Sequence, residues 1–142
     1  MDTSIKNLNK WANRHHSIWI DFLRGLLGVF LIAKGISFIT NTQEFEDLTA
    51  PLSNYIVGGM FTFHYVAAAH IMGGIMITFG LLTRWCVLAQ LPILIGAIII
   101  NFTGEMRPIN LFLAITILIV SVFFLIYGSG KNSADYYFKM EK

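Results

Sequence analysis

From His64 to Asn101 the chain runs 38 residues with a single formal charge, Arg84. As one helix that stretch would be about 57 Å long at ~1.5 Å per residue, roughly twice the ~30 Å hydrocarbon core of a bilayer. Arg84 sits near its middle, in Gly80-Leu-Leu-Thr-Arg-Trp85. The stretch therefore reads as two membrane-spanning helices joined by a tight turn at Thr83 and Arg84. Composition agrees that water is the wrong solvent. Hydrophobic residues make up 56% and charged residues 13% of the 142, against about 25% charged in soluble domains.

Four apolar segments stand out, at about 18–39, 61–82, 85–102 and 109–127, each close to the ~20 residues a spanning helix needs. β-Branched residues crowd the last two, but lipid leaves each segment to satisfy its own backbone, which selects helices. The expected fold is all-α, an antiparallel four-helix membrane bundle, with residues 1–142 as a single transmembrane domain. Between the first two spans, Gln43 to Leu48 reads as a short interfacial helix capped by Asn41 or Thr42. Pro51, Gly58 and Gly59 follow. The residues before Ile18 and after Tyr127 read as polar tails. The first apolar run lacks a small-residue cleavage site, so the first helix is expected to remain as an uncleaved anchor.

Loop charges set the expected orientation. Lys6, Lys10, Arg14, Arg84, Lys131, Lys139 and Lys142 fall on one side, and Arg107 alone on the other. The positive-inside rule then puts both termini in the cytoplasm, in a bacterial-type cytoplasmic membrane. Trp11, Trp19, Trp85, Tyr127, Tyr136 and Tyr137 fall near that same side, as an interfacial aromatic belt would.

Ionisable groups inside a membrane are functional candidates. Asp21 and Arg24, three residues apart, share a helical face and can pair. They form either a neutralised interfacial pair or a site where Arg24 meets an anion. Lys34 either snorkels to the interface or faces the bundle. His64 and His70 are six residues apart, a rotation of about 240°, so they do not share a face. That spacing argues against a metal or a bis-histidine haem. Each is either satisfied by a carbonyl or hydroxyl, or is a hydrogen-bonding group of a site. Judged by depth, Lys34, His64, His70 and Asn101, with Glu105 nearby, form an outer polar group and a candidate ligand or quinone cavity. Asp21, Arg24, Arg84 and Gln90 form a candidate cytoplasmic one.

The remaining features narrow the classes further. Gly25, Gly28, Gly35, Gly58, Gly59, Gly73, Gly74 and Gly80 read as helix-contact positions, because small residues let helices approach in lipid. None sits in a phosphate-binding context. Pro92, inside the third span, frees a carbonyl for Gln90, water or a ligand. Cys86 is the one cysteine, so no intrachain disulfide or cysteine metal cage is available. A net charge of +2 gives no reason to expect nucleic acid.

Three segments carry a family likeness. They are Arg24-Gly-Leu-Leu-Gly-Val-Phe-Leu-Ile-Ala-Lys-Gly35, His70-Ile-Met-Gly-Gly-Ile-Met-Ile-Thr-Phe-Gly-Leu-Leu-Thr-Arg84, and Tyr127-Gly-Ser-Gly-Lys-Asn-Ser-Ala-Asp135. In this order and spacing they make the chain resemble the DoxX family of small four-helix membrane proteins. One departure is Pro108-Ile-Asn-Leu-Phe112, where family members often open the fourth helix with an acidic residue. The resemblance implies either a membrane subunit of a redox complex, as in relatives that look like the small subunit of a thiosulfate:quinone oxidoreductase, or a part in oxidative-stress complexes. Quinone is the implied ligand, no resident cofactor is evident, and electrons would come from a soluble redox enzyme. Alternatives are a non-catalytic scaffold that anchors a soluble partner, and a small-solute carrier. The lipid bilayer is the first partner, and a homo-oligomer is left open.

Overall fold

The computed structural model describes residues 2–15, 17–50, 59–104 and 106–139. Pro51, Gly58, Glu105 and Lys142, named above, lie outside them. Among the described residues seven helices follow in order: α1 (Asp2–Arg14), α2 (Ile18–Thr40), α3 (Thr42–Thr49), α4 (Gly59–Phe79), α5 (Thr83–Thr103), α6 (Pro108–Tyr127) and α7 (Ala134–Tyr137). No strand occurs among the described residues. α2, α4, α5 and α6 are long and apolar enough to cross a membrane. The helix α6 has the highest mean hydropathy, 2.8, yet only 17% of its most apolar window is buried inside the protein. Phe112, Ile119 and Ile126 face outward. An apolar exterior on an apolar core is the pattern of a chain dissolved in lipid.

The bundle is held by sequential packing, α2 along α4, α4 along α5 and α5 along α6. Glycines set the α2–α4 distance. A Cβ on Gly28 would lie 2.6 Å from the Gly74 carbonyl oxygen, and one on Gly74 would lie 2.7 Å from the Gly28 carbonyl oxygen. Gly35 meets the His70 Cβ in the same way, at 2.9 Å. The pairing of residue 28 with 74 and 35 with 70 makes α2 and α4 antiparallel. Gly73 turns the other way, toward Gln90 of α5. Two expected contact glycines do not serve as such: nothing lies within 4 Å of a Cβ on Gly25 or Gly59. Both fall on faces where no neighbouring helix packs.

Three further expectations are corrected. The turn of the long hairpin is at Gly80–Leu82, and Thr83 and Arg84 already belong to α5. Gly80 takes φ +70°, and the bonds Gly80 N–H to Ile77 O and Leu81 N–H to Met76 O close α4 as a Schellman motif. The stop is made by glycine geometry rather than by the polar pair that follows. The amino-terminal residues are helix α1, in which Asn9 and Ala12 are buried, because α1 lies against the end of α6: the Tyr127 hydroxyl donates to the Ala12 carbonyl at 3.1 Å. The segment after Tyr127 folds back onto the bundle and ends in α7. The short interfacial helix forms as α3, with Asn41 at its N-cap and no side-chain cap bond. Its Phe45 is buried against Phe38 and Phe63, with ring centroids 5.4 and 5.3 Å away.

The glycine contact gives a direct test. Gly28→Ala should lower stability by about 1–3 kcal/mol through overpacking, while Gly25→Ala should be neutral or gain up to ~1 kcal/mol of helix propensity. Thermal unfolding of the two variants in detergent measures the difference. Equal losses at both positions would contradict the close α2–α4 contact.

Candidate functional site: a polar knot and an intramembrane cavity

Arg24 begins as a cation in the second turn of a spanning helix, with 5% of its surface exposed. A guanidinium buried there must place its donors on acceptors. It does so on the folded-back carboxyl segment: Nη1 donates to the Ser129 carbonyl and Nη2 to the Asn132 carbonyl at 2.9 Å. Asp21, one turn earlier on the same face, accepts from Nη1 at 3.3 Å. The expected pairing of these two residues is therefore present, and it is part of a larger structure.

The α4–α5 turn closes the other side of this knot. The buried Asp135 carboxylate accepts from Leu82 N–H at 2.8 Å, and Asp135 N–H donates to the Gly80 carbonyl at 3.1 Å. Arg84 reaches the end of α6, donating to the Ile126 carbonyl at 3.0 Å. Gly128, at φ +83°, lets the chain leave α6 directly beside that guanidinium. Ser133 starts α7 by accepting from Tyr136 N–H at 3.2 Å. Asp21, Arg24 and Arg84 are thus united at one end. Gln90 is not with them. It is fully buried between α4 and α5, and its amide donates to the Ala69 carbonyl. That also answers where its amide goes in place of the carbonyl freed by Pro92. The Nη donors of Arg24 and Arg84 described here end on this chain's own backbone and on the Asp21 carboxylate, which ties the chain together at this end.

At the other half of the bundle lies a cavity of about 430 Å³, within the ~300–1,000 Å³ of small-molecule sites. All four spans and α3 line it. Lys34, His70 and Asn101 are brought together on its wall. His64 is not. It borders a separate depression between α3 and the start of α4, with Nδ1 on the Met60 carbonyl at 2.7 Å. The six-residue spacing that put the two histidines on different faces accounts for this separation.

The three residues on the wall differ in how far they are committed. Asn101 is buried and occupied: its Nδ2 donates to the Ala97 carbonyl at 2.9 Å, and its Oδ1 accepts from Arg107 N–H at 3.2 Å. It fixes the end of α5. His70 has its Nδ1 on the Val66 carbonyl at 3.0 Å, and the edge of Phe38 packs against the ring at 5.7 Å between centroids. Its Nε2 makes no hydrogen bond. Lys34 is half-buried and makes no hydrogen bond or ion pair. Phe30, Phe38, Phe45 and Tyr65 supply aromatic wall. Among the described residues, no group of three or more His, Cys, Asp or Glu side chains could hold a metal ion.

The DoxX family model matches residues 20–103, more than half of the chain. The chain belongs to the DoxX family. No curated protein and no solved structure matches it. The DoxX match covers Arg24, the α4–α5 turn and most of the cavity wall, and it stops before α6. Two of the three resembling segments lie inside it. The third, Tyr127–Asp135, lies beyond the match, yet in space it is the segment that Arg24 and the turn hold.

Several residues of the site escaped the sequence. Ser129, Asn132 and Asp135 looked like a solvated tail, although their fixed order after Gly128 was part of the family likeness. Glu44 and Phe45 fall on the expected interfacial helix, but nothing in the sequence marks them as part of the site. Both border the cavity, Phe45 buried on α3 and Glu44 still exposed. Asn110 also lines it, and the signal was available: it is an amide in a fourth span that holds no charged residue.

The knot predicts that Arg24→Ala releases the carboxyl segment. Trypsin should then cut at Lys131 under conditions in which the parent chain is spared, and stability should fall by about 3 kcal/mol or more. Arg24→Lys should recover little of this, because an ammonium cannot reproduce the fork. Limited proteolysis followed by mass spectrometry reads the result.

Proposed function

We propose that this DoxX protein is the membrane subunit of a quinone-linked redox complex, oriented with α1 and α7 in the cytoplasm, and that its cavity receives the quinone ring. The observation that carries this reading is the meeting of the unpartnered Lys34 ammonium and the unpartnered His70 Nε2 on one aromatic-walled cavity. A quinone needs polar groups for its two oxygens, flat apolar walls for its ring, and access to lipid for its tail. A cavity between membrane helices supplies all three. Lys34 brings positive charge to an oxygen that becomes electron-rich on reduction, in surroundings where water screens little.

A single cysteine gives no redox disulfide within the chain, so the electrons would come from a partner. The end that carries the knot offers a surface for one. Tyr137 and Phe138 stand 83% and 65% exposed on the docked carboxyl segment, beyond the spans, and aromatic side chains are enriched in protein interfaces. The same patch favours the second reading, a scaffold that anchors a soluble protein without taking part in its chemistry. The basic residues at this end support the cytoplasmic orientation.

Decyl-ubiquinone added to the purified protein in lipid nanodiscs should raise its unfolding midpoint by several degrees when present at about 100 times its Kd. Lys34→Met should remove most of that rise while leaving the midpoint of the free protein within about 2 °C. If neither decyl-ubiquinone nor its reduced form moves the midpoint, the quinone reading is wrong and the scaffold reading stands in its place.

A further inference from the structure

We infer that the cavity takes the reduced, hydroxyl-bearing form of its ring ligand in preference to the oxidised form. This rests on the quinone reading and specifies its redox state. The argument starts from the Val66 carbonyl. A carbonyl oxygen has only lone pairs, so its 3.0 Å contact with His70 Nδ1 requires the ring hydrogen to be on Nδ1. Turning the ring over would put a C–H edge on that carbonyl and lose the bond. His70 makes no ion pair, it is 5% exposed, and Lys34 lines the same cavity. The ring held here is therefore the neutral one. A neutral imidazole with hydrogen on Nδ1 presents Nε2 as a bare acceptor.

Lys34 and His70 are then opposite in kind. Lys34 Nζ carries only donors, and His70 Nε2 is only an acceptor. Glu44, the other ionisable side chain besides Tyr65 on the wall, is a second acceptor. Tyr65 already donates its hydroxyl to the Ala89 carbonyl at 2.9 Å. An oxidised quinone carries two carbonyl oxygens and no donor. One can accept from Lys34, but at His70 lone pair would face lone pair. A hydroquinone serves both: one hydroxyl donates to Nε2, and the oxygen of the other accepts from the ammonium. Phe38, edge-on to the imidazole, and Phe45 next to it border the space for the ring.

The test uses the full chain in nanodiscs under anaerobic conditions, with decyl-ubiquinone and chemically reduced decyl-ubiquinol titrated separately by calorimetry. The quinol should bind about tenfold tighter or more, the discrimination expected from one buried hydrogen bond made or left unmade. In His70→Phe the quinol should lose its advantage, the two forms binding with equal affinity. Should that variant fold poorly, the parent chain labelled with ¹⁵N-histidine gives an independent reading: quinol, and not quinone, should shift the Nε2 resonance of His70. Equal binding of both forms, or tighter binding of the quinone, overturns this inference and leaves the quinone reading intact. Binding of neither form overturns both.

Discussion

One buried guanidinium organises this protein. Arg24 lies in a lipid-spanning helix where an unpaired charge would be costly, and the acceptors that relieve it come from residues 129 and 132, more than a hundred positions away in the chain. That requirement draws the carboxyl segment back over the end of the bundle. There the segment meets the α4–α5 turn through Asp135, and Arg84 of that turn meets the end of α6. Three stretches that are remote in sequence are fixed by one set of hydrogen bonds. Each of these bonds involves backbone or a charged side chain, so substitution at one point leaves buried partners unsatisfied at another.

The knot and the cavity are two ends of the same arrangement. At the knot end, α2, α4, α5 and α6 are tied together by polar contacts, and buried Leu27, Leu31, Ile77 and Phe124 fill the space beside them. Toward the other end, α2 stays pressed to α4 by Gly28, Gly35 and Gly74, with no comparable stripe drawing α6 against α2. Space remains between them, and α3 covers it with Phe45. Lys34 and His70 both line that space. Each could have been a satisfied residue of a packed helix; instead each leaves one polar atom without a hydrogen-bond partner.

Much of the architecture was legible because lipid imposes a length. Four apolar runs near the span of a bilayer, with Arg84 between the middle two, leave little choice but two hairpins. Rotation about each helix was not legible, since apolar residues lie on every face and no amphipathic stripe marks the inside. Hence Gln90 and His64 were grouped by depth with residues that they do not join. Nor was the docking of the ends legible. Polar composition before Ile18 and after Tyr127 reads as solvated tail when the partners that bury Asn9, Ser129 and Asp135 are remote in sequence. The turn was misplaced by a few residues for a local reason. Thr83 and Arg84 are the polar pair, but Gly80 is the residue able to take the left-handed conformation that ends α4.

The central claim is that a ring ligand occupies the space between Lys34 and His70. Photolabelling with an azido-quinone, followed by peptide mapping, tests it most directly. The account predicts labels on cavity-wall residues such as Phe38, Val66 and Ala97, suppressed by excess unlabelled quinone. Labels confined to outward-facing residues such as Phe22, Leu88 and Ile119, and insensitive to competitor, would contradict it.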